Sequence, residues 1–351
     1  MSSRALLIPL ALVAIIAALV WTRPISVPLA LALFLIALTW PVQELLERVL
    51  PRPLALICTL LLVLLVLAGL VGLLAWGGGR IAEGVARYGD RIDATYRTFL
   101  DLAEGYGLAM PATLAEQIEP DRLLGLVRAL FEGVYLGSAF IALTLVFLVL
   151  GLLEVPDFGA KLSQSVSEDR RRAILTVTSR IGHKLQRYVL VRTFVSVLTG
   201  VLTWLYAVLL DLDLASVWAI VAFVLNYIPM IGSIIAVIPP VLFAIVQFGD
   251  WQTTLLVLIG LGAIQFTIGN YLDPRLEGRA LAISPMIIIL SILFWGLVWG
   301  VPGAFIGVPM TIAILTACEG VPNLRWIPVL LGMEPPRTRF RRRRQDPEAE
   351  G

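Results

Sequence analysis

Hydrophobic residues in this chain fall in long unbroken runs, with the charges gathered between them. Eight stretches contain no Asp, Glu, Lys or Arg: Ala5–Thr22, Pro24–Gln43, Leu54–Gly79, Gly133–Leu153, Thr193–Leu210, Leu214–Gly249, Trp251–Leu272 and Ala280–Cys318. A helix needs about 20 mostly apolar residues to cross the hydrocarbon of a bilayer. The pattern predicts an all-α polytopic membrane protein with about six full transmembrane helices. The first run lacks a small-residue cleavage site before Trp21, and a second run follows at once. That favours a spanning helix over a signal peptide.

Two runs have an unusual length. Leu214–Gly249 holds 36 residues and Ala280–Cys318 holds 39, too long for one span and too short for two comfortable ones. Each is punctuated near its middle, the first by Asn226, Pro229, Gly232, Pro239 and Pro240, the second by Gly300, Pro302, Gly303, Gly307 and Pro309. Proline removes a backbone donor and glycine loosens a helix. Each run is therefore expected to form two half-length helices, folded as a broken hairpin or re-entrant segment.

The polar regions complete a division of the chain. Three spans are expected over 1–79, then an extracytoplasmic helical region over 80–132, a span over 133–153, and a basic amphipathic cytoplasmic region over 154–192. A transmembrane core with the two broken segments, 214–249 and 280–318, occupies 193–318, and a basic tail with a disordered end occupies 319–351. In the first polar region Ile81, Val85, Tyr88, Ile92, Tyr96 and Phe99 recur at helical spacing, Gly105, Gly107 and Pro111 break the helix, and a second helix is expected from Pro120 to Phe131. In the second, Leu162, Val166, Ile174, Val177, Ile181, Leu185 and Tyr188 form a helical stripe, with Ser167 as N-cap. Basic loops stay in the cytoplasm. That rule places 154–192 and both termini inside and the acidic 80–132 region outside.

Composition agrees: 59% of the 351 residues are hydrophobic and 15% charged, against roughly 25% charged in a soluble domain. Cys58 and Cys318 both lie in apolar runs and His183 is the only histidine. Neither a disulfide framework nor a metal site is expected, and no cofactor or enzyme motif is present. The Arg-rich segment Arg337–Arg344, beside a membrane, suits anionic lipid rather than nucleic acid.

Paired broken apolar segments are the best sequence pointer to a transport site, because the freed backbone groups must be satisfied by protein, water or solute. Asn226 is the clearest polar group in the first break; it either binds solute or caps a half-helix. Asn270, Asp273, Pro274 and Arg275 end a span, where Asp273 and Arg275 form either a local ion pair or a gate. The apolar runs hold no Asp, Glu, Lys, Arg or His, which favours a neutral or weakly polar solute over tight ion coupling. Two other readings are a cation/proton antiporter using Asp273 and a non-transporting scaffold.

These residues also form a pattern. Asn226-Tyr-Ile-Pro229-Met-Ile-Gly232-Ser with Pro239, then Asn270-Tyr-Leu-Asp273-Pro274-Arg275, Leu281-Ala-Ile-Ser284-Pro285 and Trp299-Gly300-Val-Pro302-Gly303-Ala-Phe-Ile-Gly307-Val-Pro309, resemble the signature of the autoinducer-2 exporter (AI-2E) family in order and spacing. The resemblance covers the chain from Ser2 to about Pro322. It implies an inner-membrane permease and a homo-oligomer, with a pentamer known for related proteins. Some relatives are linked to export of autoinducer-2, a quorum-sensing signal, and others to sodium or lithium/proton antiport. The resemblance also brings Ser284, Pro285, Gly300, Gly303 and Pro309 into the expected pathway or gate. Pro302, between Gly300 and Gly303, departs from the expected pattern and is expected to stiffen the second break.

Overall fold

A computed structural model describes residues 3–105, 138–277 and 283–331. Every regular element among them is helical. The first four helices are α1 (Ser3–Trp21), α2 (Arg23–Glu47), α3 (Arg52–Arg87) and α4 (Gly89–Gly105). α5 (Ser138–Ser165) and α6 (Glu168–Leu209) come next, then α7 (Ala215–Leu225), α8 (Ile231–Phe248) and α9 (Trp251–Thr267). A π-helical turn, Ile268–Leu272, joins α9 to α10 (Asp273–Glu277). α11 (Pro285–Trp299), α12 (Val301–Gly320) and α13 (Trp326–Leu330) complete the described chain. Seven helices among the described residues are long and apolar enough to cross a membrane. The chain is thus an all-α polytopic membrane protein. The helix expected at 120–131, the breakers Gly107 and Pro111, the motif residues 278–282 and the tail beyond 331 lie outside the described residues.

Local chemistry explains the boundaries. Prolines sit in the first turns of α2, α3, α11 and α12, where an amide N–H would have no helical acceptor. Pro302 is one of these: it initiates α12 and leaves the preceding turn to Gly300. Ser167 occupies the N-cap of α6 as expected, yet its hydroxyl makes no capping bond. Asp250 caps α9, its Oδ1 accepting from the Thr253 amide at 2.6 Å.

The basic region expected over 154–192 is shared between two helices: 154–165 ends α5, and 168–192 opens α6. α6 runs for 42 residues and so is about 63 Å long. Its buried residues, Leu185, Tyr188, Arg192, Val195, Ser196, Thr199, Gly200, Thr203 and Ala207, recur at intervals of one, three or four. This is a single continuous stripe on one face.

Both long apolar runs fold as hairpins. In the first, α7 has 11 residues and α8 has 18. Gln247, at the far end of α8, accepts from the Asp213 amide at 2.8 Å and donates to the Asp211 carbonyl at 2.7 Å, just before α7. Both feet of this hairpin therefore stand at the Leu209 end of α6. The second hairpin, α11 and α12, has 15 and 20 residues. Its feet stand near the opposite half of α6, where Glu319 meets Lys184 at 3.4 Å and Ile283 packs with Leu185 and Tyr188. The hairpins thus enter from opposite ends of α6. Ile228 and Ile231, at the first tip, pack against the core that holds Ile292 and Val308 of the second.

Candidate substrate pathway

The two tips are built alike. At the first, Met230 adopts φ +62°, a strained value for a residue with a side chain. At the second, Gly300 adopts φ +70°, which glycine takes without strain. Soon after each, a buried glycine lets the returning helix press on its partner's backbone. A methyl on Gly232 would overlap the carbonyl of Leu225, and one on Gly303 would overlap the carbonyl of Trp295. Within α8, Pro239 and Pro240 remove the amides that would otherwise bond the carbonyls of Ile235 and Ala236. Pro240 is buried and Pro239 half-buried.

α6 gathers polar contacts from all around it. Asn226, 2% exposed, caps the end of α7 and donates from Nδ2 to Ser196 Oγ at 3.1 Å. The next residue, Tyr227, shares a hydroxyl hydrogen bond of 2.8 Å with Thr193. One helical turn before Ser196, Arg192 Nη1 donates to Asp273 Oδ2 at 2.9 Å. The Arg192 guanidinium also lies 5.7 Å from the centre of the Tyr188 ring. Further along, Tyr206 donates to the Leu256 carbonyl at 2.8 Å and its ring lies against Gly260. Away from these, Gln186 reaches back to the Ala37 carbonyl of α2 at 2.7 Å.

The Arg192–Asp273 pair is the one strongly buried ion pair among the described residues, with side chains 4% and 16% exposed. The π turn delivers Asp273 to it. A π turn inserts an extra residue and rotates the chain beyond it, and such turns recur at functional sites. Asp273 Oδ1 and Gln265 Oε1 are buried acceptors with no hydrogen-bond partner among the described residues. Both belong to the segment that packs beside α6.

The structure thus brings Asn226 and Asp273 onto one face of α6, through Ser196 and Arg192. Pro229 and Gly232 are buried at the first tip. Asp273 does not pair with Arg275, which is exposed, as is Pro274. Asn270 is exposed and donates to the Phe266 carbonyl of its own helix. Ser284 and Pro285 open α11 at the foot of the second hairpin. Gly300 and Gly303 form its tip, which packs beside Val27 and Ala30 of α2 through Trp299 and Ile306. Pro309 is buried within α12. Sequence reasoning missed Arg192, Thr193 and Ser196. The signal was there: Arg192 lies four residues after Tyr188 and three before Val195, on the same helical stripe.

Two opposed broken hairpins around a polar-striped central helix, all within a multi-pass apolar bundle, are the architecture of a membrane transporter. The profile of the AI-2E family transporters matches residues 10–323. The chain belongs to that family. It is 33% identical to the AI-2 transport protein TqsA of Escherichia coli over 83% of this chain and 84% of that protein. A second Escherichia coli protein, YhhT, is 28% identical over 84% of each chain. A Borreliella burgdorferi relative is 34% identical over 54% of each.

Proposed function

We propose that this transporter moves a small, neutral, polar solute such as autoinducer-2 across the bacterial inner membrane, along the face of α6 where the first hairpin tip meets Ser196 and Arg192. The observation that carries this reading is the broken tip itself. It holds Asn226 inside the apolar bundle, bonded to a helix whose buried face is lined by hydroxyls. Buried polar groups in lipid are costly unless satisfied, and here they are held ready without a full charge at Asn226. The name of the relative TqsA supports the choice of solute. Pairing of Asp273 with Arg192 weighs against the antiporter reading, in which Asp273 would load and release a proton or cation by itself. Basic residues in 154–192 and after 334 support cytoplasmic N- and C-termini. The family resemblance supports a homo-oligomer.

The test is solute movement in proteoliposomes. One set is loaded with labelled autoinducer-2; another carries a pH dye and receives a sodium or lithium pulse. Movement of the label that is lost in Asn226→Ala is the expected result. Cation-driven proton movement that disappears in Asp273→Asn would overturn the reading in favour of antiport.

A further inference from the structure

A second polar site lies away from the α6 pathway, at the end of the molecule where α3 meets the start of α7. There a cavity of about 240 Å³ is lined by Trp76, Arg80, Glu83, Arg87, Tyr88 and Asp213. α3 supplies the first four along one stripe. Gly84, between them, lets the helix press against Leu214, whose Cδ1 would stand 2.8 Å from an added methyl. The wall opposite is therefore fixed in place by the turn into α7.

The charges in this cavity balance. Arg80 holds Glu83 at 3.0 Å, and Arg87 stands 3.8 Å from Asp213. Tyr88 donates to Asp213 Oδ2 at 2.7 Å, and this bond raises the phenol above its ordinary pKa and keeps it protonated. A free anion would meet two carboxylates, and a free cation two guanidinium groups. Each charged group nonetheless has hydrogen-bonding capacity left, since a guanidinium carries five N–H donors and a carboxylate about four lone-pair positions. Trp76 adds an apolar face, 49% exposed, with the Arg80 guanidinium 5.9 Å from its centre. A flat aromatic wall with convergent donors and acceptors suits a molecule with C–H faces and many hydroxyls.

We propose that this cavity is a binding site for a small, neutral, polyhydroxylated molecule, separate from the buried α6 site. One short helix, α7, links the two: its first residues, Ala215 and Ser216, line the cavity and its C-cap is Asn226. In taking the bound molecule to be the transported solute, the assignment rests on the transport reading; as a binding site it does not.

Equilibrium binding to the full chain in lipid nanodiscs tests it, with autoinducer-2 and xylitol as neutral probes and citrate and choline as charged ones. The expected result is binding of a neutral probe, weakened roughly ten- to hundred-fold by Glu83→Gln and by Trp76→Ala. Glu83 is exposed at the surface, so its amide variant keeps the fold, which circular dichroism checks. Preference for citrate or choline, binding unchanged in both cavity variants, or no binding of either neutral probe would each overturn the assignment. Retained polyol binding with no movement in proteoliposomes would instead refute the transport reading and leave this site standing.

Discussion

The Arg192–Asp273 pair offers the sharpest test of how this fold is held together. Consider Arg192→Met, which keeps much of the side-chain volume and removes the charge. Asp273 then keeps a carboxylate that is 16% exposed without the guanidinium that stood 2.9 Å away. Breaking a buried pair from one side costs about 3–5 kcal/mol, because the remaining charge must stay in a poor solvent. Asp273→Leu, the reverse deletion, is expected to fall in the same range of about 3–5 kcal/mol. Replacing both together removes the stranded charge, and apolar replacements of similar volume are often neutral. The double variant is therefore expected to be less destabilised than Arg192→Met alone. Equilibrium unfolding in mixed micelles, read by tryptophan fluorescence, gives the four free energies of the cycle. If the two single effects simply add, within about 0.5 kcal/mol, the pair has no energetic coupling and its burial does not stabilise the fold.

Other perturbations probe the same geometry. Gly232→Ala and Gly303→Ala force a methyl into a facing carbonyl, and overpacking of this kind costs about 1–3 kcal/mol; thermal unfolding of each variant against Gly262→Ala, where the space is open, measures it. Asn226→Ala deprives Ser196 of its amide donor and is expected to cost about 1–3 kcal/mol, with Ser196→Ala in the same background adding less than it does alone. Asp250 is held below the usual carboxylate range by the Thr253 amide. Its cap is therefore present at neutral pH and lost as acid protonates the folded form, so the gap in melting temperature between the parent and Asp250→Ala should close as pH falls below the usual carboxylate range.

Much of the architecture was legible because lipid imposes a plain grammar. Uninterrupted apolar runs marked the spans, and prolines and glycines at 229, 232, 300, 302 and 309 marked where two runs fold back. Counting spans along the chain places the two hairpins on opposite sides, in keeping with their entry from opposite ends of α6, but the contacts that hold their feet, such as Gln247 with Asp213, are announced by no local spacing. The continuity of α6 was hidden by its charges: the basic first half read as a separate region, although the buried stripe passes through Arg192 unbroken. Asp273 looked like half of a local pair with Arg275. Its partner lies 81 residues away, and only the π turn, which has no sequence signature of its own, swings it there. The polar cavity is equally non-local, since Tyr88 and Asp213 are 125 residues apart.

The unbroken length of α6 also sets what changes the chain can absorb. Between Lys184, which meets Glu319, and Arg192, which meets Asp273, the helix works as a ruler with two fixed marks. One extra residue there would slide the marks apart by about 1.5 Å and turn them by about 100°, so both contacts could not be kept. Exposed residues in the same interval, such as Arg187 and Leu190, are free to vary in chemistry. Related chains should therefore differ in composition along this segment while sharing its count of residues, with insertions and deletions confined to the stretches between helices.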